Sequence, residues 1–173
     1  MTASDLNRVP VRKVRCQPLR WVRALVAWVA CTPWFRRYGP RIVPRLEAIT
    51  RRLTGGRITV AGLLVPALTL HSVGARSGLA RDTELMCVPD GDTWLVTGSN
   101  FAGANHPAWT YNLLAHPAAE ITYRRRRRPV YAEPVADQDR EAVWAYIERQ
   151  WPGYRGYERA SGRTLRIFRL RPR

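Results

Sequence analysis

At 173 residues, with 46% hydrophobic residues and seven Trp, the chain is long enough for one domain with a real core plus a terminal extension. Its formal net charge is +16, almost all of it Arg because Lys13 is the only lysine; residues 1–57 hold 13 basic and 2 acidic residues, residues 58–173 hold 16 and 11. Such a field attracts nucleic acid, anionic lipid or a polyanionic small molecule without choosing among them, while the scattered Cys16, Cys31 and Cys87 and the unpaired His71, His106 and His116 speak against a disulfide framework or a metal centre and for a reducing cytoplasm.

In chain order, Pro10, Pro18 and scattered charge predict disorder over residues 1–18. Residues 19–53 read as two helices broken at Pro33, at Gly39-Pro40 and at Pro44. The uncharged run over residues 24–35 is far shorter than the roughly 20 residues that span a bilayer, and its long basic lead makes a poor secretory signal. Two readings of this Arg-flanked, Trp-rich stretch stay open: a helix lying on an anionic membrane surface, and a helix packed on the domain. Thr54-Gly55-Gly56 reads as a linker. This divides the chain into a basic, partly helical N-terminal extension, 1–57, and a folded domain, 58–173.

From Ala67 the apolar period becomes that of a strand. Residues 66–73, PALTLHSV, predict a strand, and GARSG after it a turn. Residues 84–98, ELMCVPDGDTWLVTG, predict a hairpin around Pro89-Asp90-Gly91-Asp92. A short helix follows over residues 107–115, with Pro107 preset for its first turn. Strands are expected at residues 120–123 and 129–135. Asp137 is placed to N-cap a helix whose Val143, Trp144 and Ile147 share one face, and TLRIFRL alternates as a half-exposed strand does. Short antiparallel strands with two inserted helices point to a mainly β (α+β) small barrel rather than a Rossmann sheet.

Most catalytic signatures fail. The GxxxxG of residues 98–103 is followed by Ala104-Asn105, not by the Lys-Ser/Thr of a phosphate loop, and there is no GxGxxG or GxSxG. Three segments remain. In GARSG with Arg81, two guanidinium groups, Arg76 and Arg81, flank a tight turn, which suits a phosphate as well as solvated charge. Residues 99–117, SNFAGANHPAWTYNLLAHP, carry no Lys, Arg or acid; a neutral loop feeding a helix N-terminus suits a large, partly anionic ligand, while Trp109 and Leu113 on one helix face also suit a core. In QWPGYRGYERASGR, Trp151, Tyr154 and Tyr157 recur every third residue and can line one wall, with hydroxyls at the edge of an apolar surface.

Taken in succession, G-x-R-S-G-x-x-R, then S-N-x-x-G-x-x-H-P-x-W-x-x-N-L-x-A-x-P, then W-P-x-Y-x-x-Y-x-x-x-x-x-R, the chain resembles the deazaflavin-dependent nitroreductase family over residues 66–172. The resemblance implies a split β-barrel of the FMN-binding-protein type with inserted helices, and coenzyme F420 as cofactor. It implies that Ala75, Arg76 and Ser77 sit at the cofactor phosphate and that Arg81, Asp82, Thr83, Glu84, Leu85 and Met86 run along the adjoining strand. Thr97, Gly98, Ser99 and Asn100 then face the deazaflavin, and Ala108, Trp109, Thr110, Tyr111 and Asn112 complete the groove. Tyr154 borders the reactive ring; Met86, Trp109, Trp151 and Tyr157 form the substrate pocket; Tyr154 and Ser99 serve the reaction. The chain departs from the family's pattern in two places: where members often have a basic residue and Gly-Gly after the loop Ser, it has Asn100-Phe101-Ala102, and where some quinone-reducing members have an aromatic residue, it has Met86, which leaves the substrate open.

The expected activity is hydride transfer from reduced F420 to a quinone, nitroaromatic or similar electron-poor acceptor, in the cytoplasm or at the inner face of the membrane. A non-catalytic deazaflavin carrier is the first rival. Nucleic-acid binding, prompted by the five Arg of residues 124–128, is the second.

Overall fold

The computed structural model describes residues 66–151 and 154–173, together with Thr32, Tyr38, Arg41, Ile42, Arg45, Leu46, Ala48, Ile49 and Arg52. The described positions between 38 and 52 are helical, in keeping with the helices expected there. The disorder expected over 1–18, Cys16, Cys31, the linker and boundary at 54–58, and Pro152-Gly153 lie outside the described residues.

Six strands form one antiparallel barrel. They are β1 (Ala67–Val73), β2 (Ala80–Asp90), β3 (Thr93–Thr97), β4 (Ala118–Tyr123), β5 (Arg126–Pro134) and β6 (Ile167–Pro172), closed in the order β1-β2-β3-β6-β5-β4. Closure removes exposed sheet edges. Among the described residues from 66 onward, three α-helices accompany them: α1 (Ala108–Ala115), α2 (Arg140–Gln150) and α3 (Gly156–Ser161).

Strand alternation sorts the apolar residues into two clusters. The inner one joins Leu68, Leu70, Cys87, Trp94, Val96, Ile121, Val130, Phe168 and Leu170, and α1 adds Trp109 and Leu113 to it, so this helix plugs the barrel. The outer one sets Val88, Leu95 and Ile167, the opposite faces of β2, β3 and β6, against Val143, Trp144 and Ile147 of α2 and the aromatic residues after it. Burying each large apolar side chain contributes about 1.5–3 kcal/mol, so the outer layer fixes the helices firmly.

Two local readings differ from the expectation. Asp137 does not cap α2: it opens a 3-10 turn, Asp137–Asp139, and Asp139 stands at the N-cap without a side-chain hydrogen bond. The turn extends the helical path backwards by one step, which moves the cap position two residues on. Residues 156–161, to which the sequence assigned no element, form the short helix α3, ended by left-handed Gly162 with φ 66°.

Candidate active site

The GARSG turn is built on Gly74. A Cβ there would lie 2.6 Å from Ser77 Oγ and 3.3 Å from Leu79 O, so glycine lets the Ser77 hydroxyl sit against the bend, with Arg81 Cγ in ordinary contact at 3.8 Å. The turn closes through Gly74 N to Leu79 O and Gly78 N to Gly74 O, each 2.8 Å. Arg76, Ser77 and Arg81 are all exposed. The bend and the start of the next strand thus carry two exposed arginines and a hydroxyl, residue types suited to phosphate or carboxylate oxygens.

Helix α1 couples this turn to the next segment. Buried Asn112 accepts from Ala75 N at 3.0 Å through Oδ1 and donates to Ser72 Oγ at 3.4 Å through Nδ2. Asn112 therefore acts through the turn, with its carboxamide engaged inside the protein. Two residues earlier, fully buried Thr110 donates to Pro107 O at 2.8 Å and accepts from Arg166 Nη1 at 3.2 Å. Its methyl lies against Gly98, where a Cβ would approach Thr110 Cγ2 to 2.8 Å. The uncharged loop thus seats on the helix at a position only glycine fits.

Tyr154 joins that loop to the aromatic wall. Its hydroxyl donates to Ser99 Oγ at 3.2 Å and lies 3.5 Å from Thr97 O. The ring meets Trp144 and Tyr157 edge-on, at centroid distances of 6.3 and 5.5 Å. Burial pushes the phenol above its usual range, opposed by the Ser99 hydrogen bond, so Tyr154 is a protonated donor at neutral pH. Met86, on the outward side of β2, packs on this wall with Trp151, Tyr154 and Tyr157. The indole Nε1 of Trp151 is buried there without a hydrogen-bond partner.

The remaining expected residues separate by strand parity. Asp82 and Glu84 point outward but are engaged by neighbours: Asp82 Oδ1 lies 2.7 Å from His71 Nδ1, and Glu84 Oε1 accepts from Thr69 Oγ1 at 2.9 Å. Leu85 packs on the inner cluster, and Thr83, opposite Leu70, shares its side of the sheet. Trp109 lies inside the barrel, 5.7 Å from Phe168 between ring centroids. Ala108 and Tyr111 are exposed on α1, and Arg166 stacks over the Tyr111 ring at 4.3 Å. A separate cleft of about 380 Å³, bounded by Leu95, Val135, Val143, Tyr146 and Arg169, contains none of the expected site residues.

Sequence reading assigned no role to Arg163, His106 or Arg166. Arg163 donates to the carbonyls of Gly98, Ser99 and Gly103 and to His106 Nδ1. Partial burial and the neighbouring Arg166 and Arg163 charges lower the His106 pKa, burial being the larger cause. The available signal was the Arg closing the W-P-x-Y-x-x-Y pattern, directly after a helix-ending Gly.

The residues fit a flat cofactor with an anionic tail. Exposed arginines at the Gly74 bend suit an anionic tail, and a neutral loop beside an aromatic wall suits a flat ring. Coenzyme F420 combines those two parts. A family model described as F420H(2)-dependent quinone reductase matches residues 43–172. The chain is 32% identical over 142 residues to F420H(2)-dependent quinone reductase Rv1261c of Mycobacterium tuberculosis, covering 79% of this chain and 95% of that one. Among solved structures, an F420-H2 dependent reductase (FDR-A) aligns with TM-score 0.55 and 24% identity over 61% of this chain and 93% of its own. A structure described as a domain-swapped dimer aligns with TM-score 0.57 and 23% identity over 79% and 96%. Both structural likenesses establish the split-barrel fold. The chain belongs to the F420H(2)-dependent quinone reductase family, a family of oxidoreductases with coenzyme F420 as cofactor.

Proposed function

We propose that this protein reduces an apolar, electron-poor acceptor of the quinone class, with nitroaromatics as alternative acceptors. When bound, F420 supplies the hydride; the protein supplies orientation, exclusion of water and polar groups. Arg76, Ser77 and Arg81 hold the anionic tail. The loop from Gly98 to Asn100, backed by α1, lies against the ring without a charge to distort its electron distribution. Met86, Trp151 and Tyr157 form the acceptor's apolar wall. Tyr154 and Ser99 hold the acceptor oxygen, and a phenol that burial keeps protonated donates to it as negative charge develops.

The observation that carries this reading is the Tyr154 hydroxyl, 3.2 Å from Ser99 Oγ on the neutral loop and set in a buried aromatic wall. The test is oxidation of reduced F420 by menadione with the purified full chain, beside titrations with oxidised F420 and with FMN. Turnover with preference for F420 is expected. Tight F420 binding without turnover turns the protein into a carrier, and preference for FMN overturns the cofactor assignment for this chain.

We place the protein in the cytoplasm, at the inner face of the membrane where lipid-soluble quinones reside. The support is the net +11 of residues 1–57 and their Trp-rich run. Among the described residues no helix is long and apolar enough to cross a bilayer. Flotation of the full chain with phosphatidylglycerol vesicles, but not with phosphatidylcholine vesicles, is the expected result.

A further inference from the structure

The loop after Ser99 is unusual in its backbone. Asn100, Phe101 and Ala102 have φ of 47°, 51° and 57°. The left-handed region brings Cβ close to the following carbonyl and suits glycine, or Asn singly. Three such residues in succession, two of them Phe and Ala, do not hold this conformation by local preference. The loop's own hydrogen bonds include Ala102 N to Ser99 O at 2.9 Å, Gly103 N to Asn100 O at 2.8 Å, and Asn100 Nδ2 to Asn105 O at 2.9 Å.

One side chain brackets the left-handed run from both ends. Arg163 Nη2 donates to Gly98 O at 3.1 Å and Ser99 O at 2.9 Å, immediately before the run. Its Nε donates to Gly103 O at 2.9 Å, immediately after, and Nη1 contacts His106 Nδ1 at 3.0 Å. Since guanidinium has no acceptor, His106 accepts on Nδ1 and carries its proton on Nε2. Three carbonyls converge on one planar fork only while the chain between them turns left-handed. A right-handed or extended path would disperse them, and a lysine's single ammonium could not span them.

We propose that Arg163 is a positioning residue for the F420 loop: its guanidinium selects the left-handed turn over residues 100–102 and thereby sets Ser99 against Tyr154. It does the work that Gly-Gly performs where a loop can turn left-handed unaided. This rests on the reading that the loop at Gly98–Asn100 faces F420.

The test uses the full chain and the variants Arg163→Lys, Arg163→Ala and Arg163→Ala/Phe101→Gly. Affinity for oxidised F420 is read by fluorescence titration, thermal melting on the same samples, and amide hydrogen exchange over residues 98–106. The expected result is a more than tenfold loss of affinity in both single variants, with lost protection of the Ala102 and Gly103 amides. Recovery is expected in two independent ways: from Phe101→Gly, which frees the backbone for φ > 0, and from millimolar guanidinium added to Arg163→Ala. Arg140→Ala, which removes a guanidinium paired with Glu158 away from the loop, should gain nothing from added guanidinium. Wild-type affinity in Arg163→Ala overturns the proposal. So does an affinity loss that follows the melting temperature and is restored by neither route. If the unaltered chain fails to bind F420, the functional reading fails, and unchanged exchange at Ala102 and Gly103 in Arg163→Lys would separately refute the positioning role.

Discussion

Replacing Tyr154 by Phe separates a catalytic hydroxyl from a packing ring. The ring stays, so the contacts with Trp144, Tyr157 and Met86 are kept. What is lost is one hydroxyl whose resting contacts are long, 3.2 Å to Ser99 Oγ and 3.5 Å to Thr97 O. A neutral hydrogen bond at that end of the range contributes about 0.5 kcal/mol, so folding stability should fall by about that much and F420 affinity change no more than about threefold. In the proposed role the same hydroxyl meets charge that develops only in the transition state. There a placed donor is worth on the order of 100-fold, about 2.7 kcal/mol. The assay is steady-state oxidation of reduced F420 by menadione, with melting and F420 titration on the same samples. Expected is a kcat lower by about two orders of magnitude beside near-normal binding and melting. The pH dependence has a definite sign: burial raises the phenol pKa above its usual 10.0, so the donor stays protonated throughout the neutral range and is lost only as pH climbs through the raised value. A kcat within twofold of the unaltered enzyme would refute the role, as would a fall in binding equal to the fall in rate.

Three further outcomes follow from local geometry. Arg124 and Arg125, with φ of 50° and 63°, form the β4–β5 turn without a glycine; Arg124→Asn/Arg125→Gly should stabilise the fold by about 1 kcal/mol, after about 0.5 kcal/mol is deducted for the Arg124–Tyr123 ring contact, and a lower urea midpoint would contradict this. Gly98→Ala should cost about 1–3 kcal/mol in urea unfolding and weaken F420 binding, because its Cβ would meet a Thr110 methyl held by two hydrogen bonds; Gly98→Ala/Thr110→Ser should regain part of both, and a neutral single variant would show that the loop does not seat on α1. Burial pushes the Cys87 thiol up to about 12 from 9.0, so it should resist iodoacetamide at pH 8 until the protein is unfolded. Between those two values the unfolded thiol ionises and the folded one does not, so this group's contribution is constant below pH 9 and falls as pH rises toward 12. Prompt alkylation of native protein would place the thiol outside the barrel interior.

The barrel was legible because its strands carry a period of two and its turns carry Gly, Pro and Asp. PALTLHSV is read within a residue of β1 and the hairpin turn at Asp90-Gly91 in its place, while β2 begins at Ala80, four residues before the expected start at Glu84. Helix α3 was not legible: six residues are too few to display a 3.6-residue period. The spacing of Trp151, Tyr154 and Tyr157 nevertheless indicated a shared wall, because every third residue stays on one side of a helical turn. At the site, residue types pointed to the cluster but not to individual roles. Asp82 and Glu84 are bonded to His71 and Thr69, and those partners are fixed by the β1–β2 register, which sequence does not display. The motif marked Arg163 as a position but not its role, since it acts on carbonyls about 60 positions earlier in the chain.

The two groups of arginines show why charge density alone says little about a site. Arg124–Arg128 are contiguous, yet the chain disperses them. Arg124 sits over the Tyr123 ring at 5.3 Å, Arg127 Nε donates to Glu120 at 2.7 Å, and Arg128 lies over the Trp94 ring at 5.7 Å. Successive strand residues point to opposite faces, so five adjacent charges on a hairpin end do not make one row of phosphate contacts. Arg76 and Arg81 are separated in sequence, but the Gly74 bend brings Ser77 and Arg81 near one point, and Arg76 directly precedes Ser77 in the chain. Glycine makes room for the Ser77 hydroxyl there by leaving out a single Cβ. The turn is held to the uncharged loop through Asn112 and Thr110 of the same helix. One helix therefore sets the spacing between the arginine-bearing turn and the neutral loop, which is the physical reason a strongly charged chain can keep an uncharged segment beside its arginines.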